Sequence, residues 1–319
     1  GDESSLVDPT ESAEPAEVSD SADAADATDS SDVTDPAALD DPAPVLCQLH
    51  VQSEGLGTGE SWDEAMGLRD ALEQLADALN SQSCSSGEVW LKSGIYAPGT
   101  DASESFVLVS GMTLYGGFVG NESSVSQRNV SQNTTTLSGL LEDGSRAYHV
   151  LSAQSQSTSE IRLDGITVQS GGAVGTGEQR FGGGLYAVES RVRLVDVSFI
   201  SNEALLQGGG VYVQGGVLSI ERGRFVSNMA GSDGGAITLV DGALMVTGLE
   251  MISNAADRGG ALFSANASEV RLENTEWVTQ AARLGGAIYD NGSSSFIVNQ
   301  GRFQSNQASQ QGAAVYFMQ

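Results

Sequence analysis

The chain has 319 residues, with 39% hydrophobic and 6% aromatic side chains, 14 basic against 42 acidic residues and a net charge of −28. So acidic a surface excludes nucleic acid as a partner, because phosphate contacts need clustered Lys and Arg, and it suits an anionic membrane face no better. No apolar run reaches the length of a transmembrane helix, so direct membrane insertion within this chain is not expected.

Residues 1–44 hold 14 of the acidic residues and no basic one. With so few large apolar side chains, burial cannot offset chain entropy, and a disordered, self-repelling acidic tether is expected there. The folded part, 45–319, is left at −14, from 28 acidic and 14 basic residues.

A cap region spans 45–98. Residues 45–51 read as a strand, followed by the loop GLGTGE. Ser61-Trp-Asp-Glu64 reads as a capping box, in which the serine accepts an orphan backbone N–H and the glutamate reaches back. A helix is predicted from there to about Asn80, with Trp62, Ala65, Leu68, Leu72, Leu75, Ala76 and Leu79 on one face. It suits the task of plugging the apolar end of a stacked array and hiding its first strand edge. Cys47 and Cys84 flank it. An even cysteine count in a chain of extracellular character points to one disulfide stapling the cap; two buried thiols are the alternative.

Strands are expected at 88–92, 93–98, 106–109 and 112–115. Residues 122–180 are less regular, with further strands at 136–139 and 148–151. Residues 161–168 align with 192–199 and open a regular array that spans 161–319. The 31-residue step from Val168 to Phe199 implies an insertion, placed at 175–179.

The array keeps time by three markers. A glycine tag starts at Gly182, Gly208, Gly234, Gly259, Gly285 and, weakened, Gly312, at spacings of 26, 26, 25, 26 and 27 residues. An FxxN-type tag starts at Phe199, Phe225, Met251, Trp277 and Phe303, always 26 apart. Apolar pairs such as Val192/Leu194 and Leu218/Ile220 also advance by 26. Alternation within the pairs is strand periodicity, and a unit of this length cannot bury its own apolar face, so units must stack. The fold class expected is all-β: a right-handed parallel β-helix, a solenoid of about 26 residues per coil, right-handed because parallel crossovers are. Phe199, Phe225, Met251, Trp277 and Phe303 should form an internal column. Asn202, Asn228, Asn254 and Asn306 should form a structural amide ladder, with Gln280 replacing one asparagine.

The run from the Trp62 helix through EVWLKSGIYAP at Glu88 to MTLYGGFVGNE at Met112 resembles the opening of bacterial surface proteins with a pectate-lyase-like right-handed β-helix. The GGA[ILV] and FxxN tags resemble the repeats of chlamydial polymorphic membrane proteins. Together the resemblances span roughly 47–317. They imply a secreted or cell-surface β-helix protein, an adhesin or a structural component of a bacterial envelope. The opening GDESS is similar to the start of a mature bacterial lipoprotein just past its lipid-bearing cysteine, which implies a signal-directed lipid anchor; an arbitrary boundary is the alternative. Gln319 falls inside a strand, so either the protein is expected to continue or a partner to cover the last coil.

The related fold also hosts lyases and hydrolases of acidic polysaccharides, which keeps a polysaccharide-binding or polysaccharide-degrading function as the second expectation. A glycosidase needs two carboxylates held at a fixed separation. Asp164/Asp196 and Glu221/Glu273 are the candidates, and surface charge is the simpler reading of both. Arg193 and Arg271 align but lie three coils apart. Asp257, Arg258 and Arg283 precede glycine tags and read as surface salt bridges. His50 and His149 lack the companions of a metal set, so no metal, cofactor or catalytic residue is assigned. Asn121, Asn129, Asn133, Asn266 and Asn291 stand in N-x-S/T sequences, which would carry glycans only in a secreted eukaryotic protein. One column is a candidate ligand face: Tyr186, Tyr212, Phe263, Tyr289 and Tyr316, in phase with Thr238. Exposed rings there could hold a carbohydrate or a protein of a host or neighbouring cell; inward rings would be core.

Overall fold

The computed structural model describes residues 45–154 and 159–318. The stretch expected as an acidic tether, 1–44, lies outside the described residues, as does Gln319. The described chain is mostly short strands arranged in long parallel sheets.

One sheet has 13 strands and begins with Leu46–Val51, Ser86–Lys92 and Met112–Phe118. In the array two limbs of this sheet merge into long bent strands, Val217–Val226, Ala243–Ile252, Glu269–Val278 and Phe296–Gln304. Each bends near a residue of positive φ: Arg222 (54°), Gly248 (76°), Asn274 (51°) and Gln300 (55°). A second sheet has eight strands in simple chain order, from Phe106–Leu108 to Val315–Met318. A third, narrow line of pairing joins Gly172–Ala173, Glu203–Ala204 and Met229–Ala230, then passes by single bridges through Ala255 to Ala281.

The register follows the sequence period. Leu185 pairs with Val211, Val192 with Leu218 and Phe199 with Phe225, each 26 residues on. The insertion also sits where the spacing placed it. The offset is 31 at the Ala173–Ala204 pair and 26 at the Phe181–Gln207 bridge, so the extra residues lie between them. They form a short 3₁₀ turn, Gly177–Arg180.

Alternation sorts the side chains. Leu185, Val211, Ile237, Leu262 and Ile288 of the second sheet join Leu194, Ile220, Val246 and Leu272 of the first in one buried cluster. Within it Phe199 stacks on Phe225 with ring centres 4.9 Å apart, and Trp277 on Phe303 at 5.7 Å, with Met251 between the two pairs in the register. The glycine tags have a steric cause. Their first residues have φ between 58° and 68°, a left-handed corner. In the first five tags the next position leaves no room for a side chain: a Cβ on Gly209 would lie 2.4 Å from the Gly235 carbonyl oxygen.

The amide ladder forms. Asn228 Nδ2 donates to the Phe199 carbonyl at 2.9 Å and to Asn254 Oδ1 at 3.0 Å, and Asn254 Oδ1 also accepts the Asn228 backbone N–H. The same arrangement links Asn202 to Asn228 and Asn254 to Gln280. Asn306 Oδ1 accepts the Gln280 N–H. Buried amides are tolerated because both halves are bonded.

The cap differs from expectation at its start. The helix runs Leu68–Asn80, not from Ser61. The Glu64 N–H does reach Ser61 Oγ, at 3.3 Å. However, Met66 is drawn into pairing: its N–H donates to the His50 carbonyl and its carbonyl accepts the Gln52 N–H. That pairing holds 61–67 out of a helix. Trp62 therefore leaves the helix face and packs against His50 and Phe118. Leu68, Ala71, Leu72 and Leu75 are buried against the first strands, and a Cβ on Gly87 would lie 2.2 Å from Leu75 Cδ1. Cys47 and Cys84 form a disulfide across 37 residues, tying the first strand to the turn after the helix.

Candidate functional site

The aromatic column is aligned but not open. Tyr186 pairs with Tyr212 and Phe263 with Tyr289 in register, and their rings stack at 5.7 and 5.4 Å. Tyr186, Tyr212, Phe263 and Tyr289 are only 5, 6, 3 and 2% exposed. They do point away from the main core, as alternation requires, but the segments leading into the strands of the second sheet cover them. His149 stacks on Tyr186, Phe181 packs tilted against Tyr212 with ring centres 5.0 Å apart, and the Arg258 guanidinium lies 5.0 Å from the Phe263 ring centre. Burial pushes the Tyr186 hydroxyl up to about 12, with Glu178 adding to it, and burial also raises Tyr212. The candidate ligand face is therefore closed, and the inward reading of these rings holds: Phe263 and Tyr289 form a second, smaller core with Ala265, and Tyr316, at the last strand, is half-buried against it.

The residues covering this column pair with each other. Asp233 is fully buried and takes two hydrogen bonds from Arg258 and one from Gln207. Asp257 takes two from Arg283, whose hydrogen bonds hold its carboxyl below the usual carboxylate range. The salt bridges expected before the glycine tags are thus present, one of them buried.

The carboxylate candidates do not converge. Asp164 lies opposite Val195, not Asp196. Asp164 is 2% exposed and accepts from Arg162 at 2.6 Å and from Arg128. Both guanidiniums lie over the Tyr115 ring, Arg128 at 5.1 Å and Arg162 at 5.9 Å from its centre. Asp196 stands at a bend and binds Arg222 through both oxygens, each at 2.8 Å. Glu221 and Glu273 are separated by Thr247, as the period required, and each is bonded to an arginine, Arg193 and Arg271 respectively. Arg193 and Arg271 stand three strands apart, with Ser219 and Met245 between.

His50 sits among Trp62 and Trp90, with Nδ1 3.2 Å from the Gly59 carbonyl. His149 Nδ1 lies 3.1 Å from the Gly182 carbonyl, and burial lowers its pKa. Among the described residues no group of three His, Cys, Asp or Glu side chains is placed to hold a metal ion.

The geometry common to these residues is contact across the period. Asp196–Arg222, Arg224–Glu250, Ser253–Thr279, Ser264–Asp290 and Asp257–Arg283 all join residues 26 apart. Searches of family models, of curated proteins and of solved structures returned no significant match to this chain.

Proposed function

We propose that this chain is a right-handed parallel β-helix of about 26 residues per coil that serves as a non-enzymatic scaffold at a bacterial surface or outside the cell, in adhesion or envelope structure. The observation that carries this reading is where the polar side chains go. Amides, hydroxyls and ion pairs of the array bind the neighbouring repeat. Such chemistry stiffens a rod against bending and shear, because each contact adds to the parallel backbone ladder. The 26-residue register in all three lines of pairing supports a closed coil, and the right-handed rule for parallel crossovers supports its hand. The disulfide supports an oxidising location.

The second reading is a polysaccharide-active protein. It is favoured by the meeting of Arg128, Arg162, Asp164 and Tyr115 on the first sheet, with Arg193 opposite Arg162 on the next strand. One assay separates the two. Beads coated with the full chain are tested for adherence to bacterial and host cells and to immobilised polysaccharides, and soluble product is followed by reducing-sugar release and unsaturated-uronate absorbance. Adherence without product supports the scaffold. Product release that is lost in Arg162→Ala supports the enzyme and overturns the first reading.

A further inference from the structure

Asn291-Gly292 is the one Asn-Gly step in the sequence. It stands where the strand Ile288–Asn291 ends and the chain turns toward Phe296–Gln304. An asparagine before glycine can be attacked by its own chain. The next backbone nitrogen reaches the side-chain carbonyl, and glycine has no side chain to obstruct it. In a folded chain the reaction needs that N–H and that amide to be free.

Here both are. The same corner occurs in the three preceding repeats, and there the corresponding N–H groups are engaged. Gly215 donates to the Val240 carbonyl at 2.9 Å, Asp241 to Ala265 and Asn266 to Asn291, each at 3.0 Å. The Gly292 N–H has no acceptor among the described residues, and the Asn291 side-chain amide makes no hydrogen bond there. Gly292 has φ of 76°, and a Cβ on it would meet only Asn266 Oδ1, at 3.9 Å, so this side of the peptide is open. The ladder asparagines are the opposite case. Their amides are bonded. The N–H after each is held by a carbonyl: Glu203 by Gly171, Met229 by Asn202, Ala255 by Asn228 and Gln307 by Gln280.

The turn is pinned across the step by Asp290. This buried carboxylate lies opposite Ser264 in register and accepts its hydroxyl at 2.6 Å. It also accepts the Ser293 N–H at 3.3 Å and the Ser293 hydroxyl. These bonds to Ser293 span Asn291 and Gly292, so they depend on the length of main chain between. No cation pairs with Asp290 among the described residues.

We propose that Asn291 is a self-modification site: it converts to aspartate and isoaspartate, and the product loosens the pairing of its strand. The Gly292 nitrogen attacks Asn291 Cγ and a C–N bond forms. The Cγ–Nδ2 bond breaks, and ammonia leaves with the Gly292 amide proton. Water then opens the cyclic imide. Addition at Cγ gives aspartate; addition at the main-chain carbonyl gives isoaspartate, whose chain runs through Cγ and is longer by one carbon. Nothing is oxidised or reduced. Either product sets a new carboxylate beside Asp290, which has no counter-charge to share. Isoaspartate also alters the span that the Asp290–Ser293 bonds bridge. The inference stands whether the chain is a scaffold or an enzyme.

The test incubates the full chain, made in a bacterium so that Asn291 carries no glycan, warm and at mildly alkaline or mildly acidic pH. Tryptic cleavage after Arg283 and Arg302 releases 284–302, which holds Asn291 and, as internal control, Asn299. Mass spectrometry reads the mass gain of amide-to-acid exchange, and isoaspartyl methyltransferase labels isoaspartate. Conversion at Asn291 should exceed that at any ladder asparagine by about tenfold or more, since an engaged N–H must first break its hydrogen bond. It should be faster at the alkaline pH, because the attacking nitrogen must shed its proton. Hydrogen exchange in Ile288–Asn291 and Leu262–Ala265 should then speed up. Asn291→Gln, whose larger imide closes far more slowly, should show neither change, and freshly purified parent gives the same reference if that variant is unstable. An unconverted Asn291, conversion no greater than in the ladder, or conversion that leaves exchange at the fresh parent's level would overturn the proposal.

Discussion

Arg258 grips the Asp233 carboxylate with two hydrogen bonds, Nε to Oδ1 at 2.6 Å and Nη2 to Oδ2 at 2.9 Å, across one period of the array. The Asp233 hydrogen bond raises the Arg258 pKa despite the guanidinium's partial burial. Removing Arg258 leaves the buried Asp233 carboxylate without a counter-charge, held only by the Gln207 amide. Arg258→Met is expected to cost about 3–5 kcal/mol in urea unfolding. The double replacement Asp233→Leu/Arg258→Met is expected to cost less than the single one, because no buried charge is stranded. A double variant that is less stable than the single one would count against this view.

The amide ladder gives a second expectation. Asn228→Ala removes the acceptor for the Asn202 backbone N–H and Nδ2 and the donor for the Phe199 carbonyl. With Asn254 Oδ1, which loses the Nδ2 donor, four buried polar groups lose a partner, but Asn202 Nδ2 keeps Val168 and Asn254 Oδ1 keeps the residue 228 N–H; at about 1–3 kcal/mol for each group left bare, a loss of about 3–5 kcal/mol is expected. Asn254→Gln should cost clearly less, since Gln280 already holds the equivalent place one period on. Equal losses for the two variants would show that the ladder is not what the asparagines supply.

His149 gives a pH dependence. Its imidazole is stacked on Tyr186, and burial lowers its pKa from the ordinary value of about 6.5. The folded state therefore binds the proton less readily than the unfolded chain does. The stability contribution is complete above pH ~6.5 and is lost as pH falls from there through the folded value. Unfolding free energy measured between pH ~7.5 and ~5 should decline, and the decline should be smaller in His149→Gln. An identical slope in the variant would remove His149 from the account.

The Cys47–Cys84 bridge closes a 37-residue loop. On the chain-entropy view, reduction should lower stability by about 4 kcal/mol. The loss should concentrate in the cap, so hydrogen exchange ought to speed up first in Leu46–Val51 and Leu68–Asn80. Uniform acceleration across the array would instead mean that cap and array open together.

The repeat was legible because its cause is periodic. A residue such as Phe225 or Asn228 has the same neighbours as its copy 26 positions away, so its identity recurs. The helix start was not legible, because the Ser61–Glu64 box is a local signal and Met66 answers to a strand 15 residues earlier, through the His50 and Gln52 backbone. The aromatic column was read in phase, but alternation alone left open whether its rings were exposed or packed. Its burial depends on Phe181 and Arg258, which belong to loops whose path no local pattern reports.

Parallel stacking in step with the sequence period is tested most directly by spin-label distances. Ser198, Arg224, Glu250, Glu276 and Arg302 lie in one register column. Labels on cysteines placed at Ser198 and at each of the other four positions in turn, with the native disulfide intact, should give separations that grow by about 4.8 Å per period, reaching about 19 Å at Arg302. Separations that fail to grow in equal steps, or that spread broadly, would contradict it.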